Sequence, residues 1–361
     1  MIPSVSVIIA VYGRFNLLKH AVESILAQTY PVSEIILIDD GSIDETPQEL
    51  PRYIAEKPAW RERVRYFYQE NQGQSVAINN GIARAKGEWL AFNGDDDLWL
   101  PWKLEWQFRA LEKYKDQCGL CFTDAWFMNN PYEKTTLFQL GGNLGHELLG
   151  MISKPARLMT HHREWVWCQT VLARADLVRS LAGFDPLLRY AEDIDFIFRA
   201  ALVSDFCYVG IPMVLIDRSP SELKHVGEAK NWRRADFTLR MEQYHFEKQL
   251  SLAGELEPDI RRSIRRNLRD IHSQWASLYV GNGEFRKARK SLSTAIRYCP
   301  GLKVALKWAL TRLTPEVARK IIMVRRLRAT RRDDTSSWQA ERKKPLETEN
   351  GSLLTGRGAM G

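Results

Sequence analysis

Short apolar runs rich in β-branched residues alternate with amphipathic segments near the start of the chain, and this alternation constrains the fold most. The apolar runs are residues 4–12, 34–39, 63–68 and 88–93. Helical periodicity marks the segments between them, which are Leu17–Gln28, Glu45–Glu56 and Gln74–Ala85. This alternation is typical of parallel β-α-β units, because each strand must be covered by helices on both faces. The sequence therefore predicts an α/β fold with a doubly wound, mainly parallel sheet flanked by helices.

Polar motifs follow three of these runs, at the point where each predicted strand ends. Tyr12-Gly13-Arg14 follows the first run, Asp39-Asp40-Gly41-Ser42 the second, and Gly94-Asp95-Asp96-Asp97 the fourth. Ligands of doubly wound sheets bind outside the carboxyl ends of the strands. We therefore expect three separate loops to meet at one edge of the sheet.

Charge and cysteine content limit the partners and the compartment. The net charge of +8 and the pI of about 9.2 favour anionic partners such as nucleotide phosphates, acidic lipids or nucleic acid. Five cysteines form no disulfide framework, and the Cys118/Cys121 pair lies in an apolar, strand-like run. No run reaches the eighteen or so apolar residues of a membrane span. We expect a cytoplasmic protein, either free or bound peripherally at the inner face of the membrane.

The composition changes after about residue 225, where Arg-rich helical patterns replace strand-like runs. This predicts an α/β domain over 1–225, an α-helical region over 226–332 and a disordered tail over 333–361. One stretch has the spacing of a single tetratricopeptide helix pair, through Trp275, Ala276, Tyr279, Gly283, Ala288, Leu292, Ala295 and Pro300. Because a single unit cannot bury its own apolar face, we expect it to pack on neighbouring helices.

Thr314-Pro315-Glu316 predicts the start of a further helix. Its cations surround Ile321, Ile322, Val324 and Leu327, and they are Arg319, Lys320, Arg325, Arg326, Arg328, Arg331 and Arg332. Two interpretations stay open: a solvated basic face, or a helix lying on an anionic membrane surface.

Two acidic clusters are the candidates for chemistry. Asp95-Asp96-Asp97 would repel one another unless solvated or bridged by a hard divalent cation such as Mg²⁺ or Mn²⁺. The competing interpretation is structural, with these residues at the N-terminus of a helix over Leu98–Lys113. In the second cluster, Glu192 or Asp193 could act as a general base, or could simply begin a helix. Arg199 is one turn beyond Asp195 and is expected to pair with it.

Five segments, in order, resemble the family 2 inverting glycosyltransferases. They are VSVIIAVYGR, IDDGSIDET, NQGQSVAINNGIARAKGEW, FNGDDDLWLPWKLE and GFDPLLRYAEDIDFIFRA, and they cover about residues 4–216. The resemblance implies a GT-A fold, whose Rossmann-like sheet is mixed and mainly parallel, over the 1–225 domain. It also implies sugar transfer from a nucleoside-diphosphate sugar, with UDP favoured, to a saccharide or lipid-linked saccharide in polysaccharide or glycan biosynthesis.

The resemblance also implies residue roles. Val11, Tyr12 and Arg14 would line the nucleotide pocket, Asp39 would face the base with Asp40 nearby, and Asn71, Gly73 and Asn79 would shape the neighbouring loop. Asp95 would join the nucleotide site, while Asp96, with Asp97, would hold Mn²⁺ or Mg²⁺. Asp193, beside Glu192, would be the base that deprotonates the acceptor, with inversion in one displacement. Carboxylates and a carboxylate-held metal suit these tasks.

Three positions depart from the usual motifs. Ala10 replaces a proline and Gly13 an asparagine, which affects loop shape more than chemistry. Gly94 replaces the first aspartate of the D-x-D motif, whereas the last is present as Asp96. Asp95 could partly compensate for the missing carboxylate.

Other functions are weaker alternatives. A dinucleotide-dependent oxidoreductase needs G-x-G-x-x-G after the first strand, but AVYGRFN has one glycine. A nucleotidyltransferase needs an early glycine-rich phosphate loop, and none is visible in the sequence. A non-catalytic scaffold would not need the three aspartates Asp39, Asp96 and Asp193. Nucleic-acid binding has no recognition motif. Trp165 or Trp167 could stack on an acceptor. His161-His162 lacks a third ligand for zinc. We assign no role to Arg218 or His225.

Overall fold

The computed structural model describes residues 2–128, 135–142, 144–159, 165–217, 235–252 and 257–321. Its strands are β1 (Val5–Val11), β2 (Glu34–Asp40), β3 (Val64–Gln69), β4 (Trp89–Asn93), β5 (Leu98–Trp99), β6 (Cys118–Met128), β7 (Leu149–Ile152), β8 (Val171–Arg174) and β9 (Asp205–Asp217). They form one sheet in the order β3-β2-β1-β4-β8-β6-β9-β5, and β7 also pairs with β9. The four strands predicted from apolar runs are confirmed within two residues at each end.

The sheet is parallel where the β-α-β pattern predicts it and mixed elsewhere. β1 pairs in parallel with β2 and β4, and β2 pairs in parallel with β3. β8 runs antiparallel to both β4 and β6, whereas β6 and β9 are parallel. Nearly every residue of β1 and β2 is buried, because helices cover both faces of these central strands. The predicted GT-A-like, mixed and mainly parallel sheet is confirmed.

Helices connect the strands and cover the sheet. They are α1 (Phe15–Leu26), α2 (Thr46–Glu56), α3 (Pro58–Arg63), α4 (Gln74–Arg84), α5 (Lys103–Tyr114), α6 (Leu137–Leu140), α7 (Ala156–Met159), α8 (Ala175–Ser180), α9 (Glu192–Val203), α10 (Ala235–Leu252), α11 (Pro258–Gly281), α12 (Phe285–Tyr298) and α13 (Leu302–Leu313). In α1 the buried residues Leu18, Ala21, Val22 and Ile25 recur at helical spacing. This apolar stripe packs on the sheet and explains why the segment is helical.

The helix predicted over Leu98–Lys113 is wrong at its start. Leu98 and Trp99 form β5, antiparallel to β9, and α5 begins only at Lys103. Pro101 disfavours the helical conformation at the residue before it, and the edge of β9 supplies a partner for the extended segment. The aspartates at 95–97 therefore precede a strand, so the dipole of α5 does not account for them.

The chain forms two compact units, the first spanning Met1–His272 with Arg297–Cys299, and the second spanning Ser273–Ile296 and the residues from Pro300 onward. α10 and most of α11 thus belong to the first unit, and the boundary at residue 225 stays a prediction. In the second unit, Ala276, Val280, Ala288, Leu292 and Ala295 form a buried cluster, with a turn at Gly283 (φ +79°). The tetratricopeptide assignment of this region stays a prediction.

The basic helix predicted after Thr314 is described only in part. Residues 315–321 are helical, whereas the remaining cations of that helix and the predicted tail lie outside the described residues. Across the described ranges, no helix combines the length and apolar character needed to cross a bilayer.

Candidate active site

The loop after β1 is fixed by two consecutive residues with positive φ. Gly13 has φ +74° and Arg14 has φ +65°. The Gly13 N–H donates to Ser42 Oγ (2.7 Å) and the Arg14 N–H donates to Asp44 Oδ2 (2.9 Å), which fastens this loop to the loop after β2. Glycine and asparagine both tolerate the left-handed region. Gly13 therefore preserves the backbone shape that asparagine usually provides here.

Arg14 joins the β1 loop to the acidic cluster after β4. Its Nε donates to Asp95 Oδ2 and its Nη1 to Asp96 Oδ2, both at 3.1 Å, and its Nη2 also pairs with Asp95. Asp95 is 2% exposed, and burial raises its pKa to about 7 although Arg14 acts in the opposite direction. One guanidinium thus holds two of the predicted site carboxylates together.

Asp96 and Asp97 converge over Gly94. A Cβ at position 94 would lie 2.6 Å from Asp97 Oδ2 and 2.9 Å from Asp96 Oδ1, closer than ordinary contact. Asp97 Oδ1 accepts the N–H of Asp217 (3.0 Å), so this buried carboxylate also fastens the end of β9. A side chain at position 94 would therefore require the Asp96 and Asp97 carboxylates to move.

The metal predicted at Asp96 and Asp97 can be tested against the donor set. Among the described residues, no group of three or more His, Cys, Asp or Glu side chains could hold an ion. Mg²⁺ and its relatives, however, are commonly bound by one or two carboxylates, with substrate phosphates and water as the other ligands. The Asp96 side chain is 17% exposed, and its Oδ2 pairs with Arg14. These residues fit a metal that binds together with a diphosphate.

The carboxylates at the end of β2 are engaged in shaping loops. Asp39 accepts the Ser42 N–H through Oδ1 and the Tyr66 hydroxyl through Oδ2, both at 2.8 Å. Asp40 accepts the N–H groups of Gln72 and Gly73, also at 2.8 Å. Both side chains are buried, and their predicted contact with a nucleotide stays a prediction.

The loop before α4 meets the segment that leads to α9. Gly73 has φ +92°, and a Cβ there would collide with the Arg189 guanidinium. The Asn79 side chain donates to Phe184 O and accepts from Phe184 N, each at 2.7 Å. Asn71 is exposed, whereas Asn79 acts as a clamp between the two segments. Asp40, in IDDGSIDET, contacts Gly73, and Asn79 of the same segment as Gly73 contacts Phe184. These two contacts connect both motif segments to the residues that precede Asp193.

Glu192 and Asp193 lie in the first turn of α9, as the structural interpretation of this cluster also required. Both are partly exposed, and Asp193 Oδ1 accepts the N–H of Ile194 (2.8 Å). The pKa of the Cys168 thiol is raised by burial and then by the charges of Asp193 and Glu192. Cys168 therefore lies within electrostatic reach of the predicted base, a relationship that no motif indicated.

Ion pairs to Asp195 and Asp185 fix the start of α9. The predicted pair is confirmed, because Arg199 Nε lies 2.8 Å from Asp195 Oδ2. Lys248 Nζ donates to Asp195 Oδ2 (3.0 Å) and to Asp185 Oδ2 (2.6 Å), and the Tyr244 hydroxyl also donates to Asp185. Lys248 and Tyr244 lie in α10, and no sequence motif indicated that this helix contacts the site.

The remaining candidates differ in accessibility. Trp165 is buried against Phe122 and cannot stack on an acceptor, whereas Trp167 is partly buried beside Phe127. Of the β1 residues, Val11 is buried and Tyr12 is partly exposed at the strand end. His161, His162, Arg218 and His225 lie outside the described residues.

Comparison with known proteins bears on the family and the fold. Residues 6–162 match the family described as Glycosyl transferase family 2. A relative from Rickettsia typhi, named an uncharacterized glycosyltransferase, is 31% identical over 202 residues, which cover 56% of this chain and 60% of that protein. The match thus spans less than two thirds of that relative.

Solved structures share the fold at low identity. S. aureus TarS 1–349 in complex with UDP-GlcNAc has a TM-score of 0.63 at 16% identity, covering 90% of this chain and 92% of that one. The mannosyltransferase PcManGT from Pyrobaculum calidifontis, in complex with GDP-Man and Mn²⁺, has a TM-score of 0.51 at 18% identity, covering 93% and 89%. The fold is therefore GT-A-like, and residues 6–162 are similar to the glycosyltransferase family 2 model.

Proposed function

We propose that this protein is an inverting glycosyltransferase that moves a sugar from a nucleoside-diphosphate sugar to a hydroxyl group of a saccharide or lipid-linked saccharide. The observation that carries the proposal is the meeting of the motif loops at one edge of the sheet. Arg14 links the β1 loop to Asp95 and Asp96, and Asp40 holds the backbone of Gly73. Ligands of such sheets bind at this edge.

UDP is the proposed nucleotide. The motif resemblance favours it, and the similarly folded TarS binds UDP-GlcNAc. Asp39 and Asp40 set the loops around the nucleotide pocket, and Arg14 places a cation beside Asp96. A divalent metal at Asp96, with Mn²⁺ as in PcManGT, would neutralise the charge of the departing diphosphate.

Asp193 is the proposed catalytic base. Its carboxylate, in the first turn of α9, would accept the proton of the acceptor hydroxyl as that oxygen attacks the anomeric carbon. The bond from the anomeric carbon to the diphosphate oxygen breaks on the opposite face of the sugar. A single displacement of this kind inverts the configuration. Glu192, the adjacent carboxylate, would contribute to the negative field that favours the proton transfer.

The experiment combines donor binding with turnover. A thermal-shift screen of nucleotide sugars with Mn²⁺ should identify the donor, because a ligand at a hundred times its Kd stabilises a fold by about 2.7 kcal/mol. Asp193→Asn should then lower sugar transfer by roughly 10²- to 10⁴-fold, while the donor-induced thermal shift is unchanged. Asp259→Asn, at an exposed carboxylate of α11, is the matched control and should keep full turnover.

Each failure has its own meaning. Turnover that survives in Asp193→Asn would remove Asp193 from the role of base. The absence of binding and hydrolysis across the whole nucleotide-sugar panel would favour a non-catalytic scaffold. Nucleotidyl transfer from a nucleoside triphosphate would favour a nucleotidyltransferase.

A further inference from the structure

α13 carries a row of exposed aliphatic side chains, and two more lie on the next helical segment, over 315–321, which follows a break at Thr314 (φ −140°). The six residues, here called the leucine row, are Leu302, Leu306, Leu310, Leu313, Val317 and Ile321. Leu302 is 76% exposed and Leu313 is 78% exposed. Single exposed apolar residues are ordinary on protein surfaces, but a contiguous row marks a surface that contacts something.

The leucine row is separate from the face that α13 uses in its own core. At about 100° per residue, the four leucines of α13 fall within an arc of roughly 80°. Val304 and Thr311 lie on the opposite side of the helix and are buried, Val304 within the core cluster of the second unit. α13 therefore has one apolar face that packs inside the protein and a second that faces solvent.

Cations flank the leucine row. By the same helical angles, Lys303 projects on one side of it and Arg312 on the other, and both are exposed. Lys307 lies on the side of Lys303, but its ammonium donates to Ser273 Oγ (2.7 Å). Between residues 302 and 332 the only acid is Glu316, whereas the cations in that range are Lys303, Lys307, Arg312, Arg319, Lys320, Arg325, Arg326, Arg328, Arg331 and Arg332. An apolar strip bordered by positive charge complements a surface that is apolar inside and anionic outside.

We propose that the leucine row docks on an anionic lipid surface. The aliphatic side chains would enter the boundary between headgroups and acyl chains, while the lysine and arginine side chains reach the lipid phosphates. The inference goes beyond sugar transfer and does not depend on it. It also assigns the contact to α13, upstream of most of the basic helix that the sequence indicated.

Charge argues against a second copy of the chain as the occupant. Two leucine rows facing each other would bring both sets of flanking cations together, which disfavours association. The adjoining sequence over 322–332 has five arginines and no acid, so it does not complement the row either. An anionic lipid surface satisfies both the apolar strip and its basic borders.

The test measures cosedimentation of the full chain with phosphatidylcholine vesicles, with and without phosphatidylglycerol. We expect binding at least about tenfold tighter when the anionic lipid is present, and weaker binding at high salt. The double substitution Leu306→Glu/Leu310→Glu should weaken binding to the anionic vesicles by about tenfold or more. The matched control is Ile2→Glu/Val203→Glu, at two exposed aliphatic residues of the first unit, and it should bind as the parent does.

Several results would overturn the proposal. These are equal binding to both vesicle types, unchanged binding of the leucine double variant, or a parent dimer in solution that this variant dissociates. Loss of binding in Arg325→Glu/Arg326→Glu/Arg328→Glu, while the leucine variant still binds, would assign the contact to the downstream cations instead. Leu306→Ser/Leu310→Ser repeats the test with a milder change, and parental helical circular dichroism with a parental thermal midpoint shows that both variants are folded.

Discussion

Lys248 lies 3.0 Å from Asp195, so an ammonium group of α10 reaches the buried carboxylate two residues beyond the proposed base. The same ammonium group donates to Asp185 at 2.6 Å. Asp185 and Asp195 bracket the turn that leads into α9, and Asn79 holds the neighbouring Phe184 backbone. The first turn of α9, with Asp193 on it, is therefore positioned by contacts from two other helices.

Lys248→Met should impair catalysis without preventing donor binding. It removes one partner from two carboxylates, and removing one member of a buried pair costs about 3–5 kcal/mol of stability. The loss should be smaller here, because Lys248 is partly exposed and Arg199 still pairs with Asp195. We expect a lower kcat, a lower thermal midpoint and an unchanged Kd for the nucleotide sugar. Lys86→Met, at an exposed lysine, is the control and should change none of these. A Lys248→Met enzyme with parental kcat would show that the network does not position Asp193.

Gly94→Asp should weaken the site although it restores the usual D-x-D pattern. The new side chain would begin within 3 Å of the Asp96 and Asp97 carboxylates, so it meets both crowding and like charge. We expect a loss of about 1–3 kcal/mol in unfolding free energy and a lower rate of transfer. Gly283→Ala provides the contrast, because a Cβ there meets nothing within 4 Å and only the backbone is strained. It should cost about 1–2 kcal/mol and leave transfer unchanged. A Gly94→Asp protein as stable and active as the parent would contradict the crowding argument.

The parts of the fold that the sequence predicted are those with local causes. β1 and β2 are buried on both faces, so their β-branched runs are conspicuous. The Arg199–Asp195 pair follows from the i,i+4 spacing within one helix. The start of α5 was mispredicted because the segment at Leu98 pairs with β9, a strand more than a hundred residues later. The helix propensity of residues 98–113 carries no information about pairing with such a distant strand.

The candidate site shows the same limit. Motif order indicated that Asp39 and Asp40 belong at the sheet edge, and the structure has them there. Sequence could not indicate that their oxygens accept hydrogen bonds from Ser42, Tyr66 and the loop before α4, because these bonds depend on loop conformation. Lys248 joins Asp195 across 53 residues with no periodicity to mark it.

Lys103 should make stability depend on pH. The side chain is fully buried, where it donates to Gln107 Oε1 (3.0 Å) and lies 3.8 Å from the centre of the Trp99 ring. Burial lowers its pKa from 10.5 to about 7. Between these values the unfolded chain holds a proton that the folded chain has released, so stability rises with pH from about 7 to about 10, by at most about 1.4 kcal/mol per pH unit.

Chemical denaturation at several pH values checks this dependence. In Lys103→Met the rise between pH 7 and pH 10 should disappear, and the variant should exceed the parent in stability most clearly at and below pH 7. Lys290→Met, at an exposed position of α12, should keep the parental profile. Parallel profiles for the parent and Lys103→Met would assign the pH dependence to other groups.

Asp96 should connect the metal to the nucleotide. With Arg14 on one of its oxygens and no three-residue ligand group among the described residues, Asp96 needs the diphosphate to complete a metal site. We therefore expect Mn²⁺ alone to shift the thermal midpoint little, UDP alone to shift it moderately, and the two together to shift it by more than their sum. In Asp96→Asn the increment from Mn²⁺ should vanish while the shift from UDP alone persists. Asp270→Asn, at an exposed carboxylate of α11, should keep the increment. If Mn²⁺ still adds its full increment in Asp96→Asn, the metal is held elsewhere and the assignment of Asp96 fails.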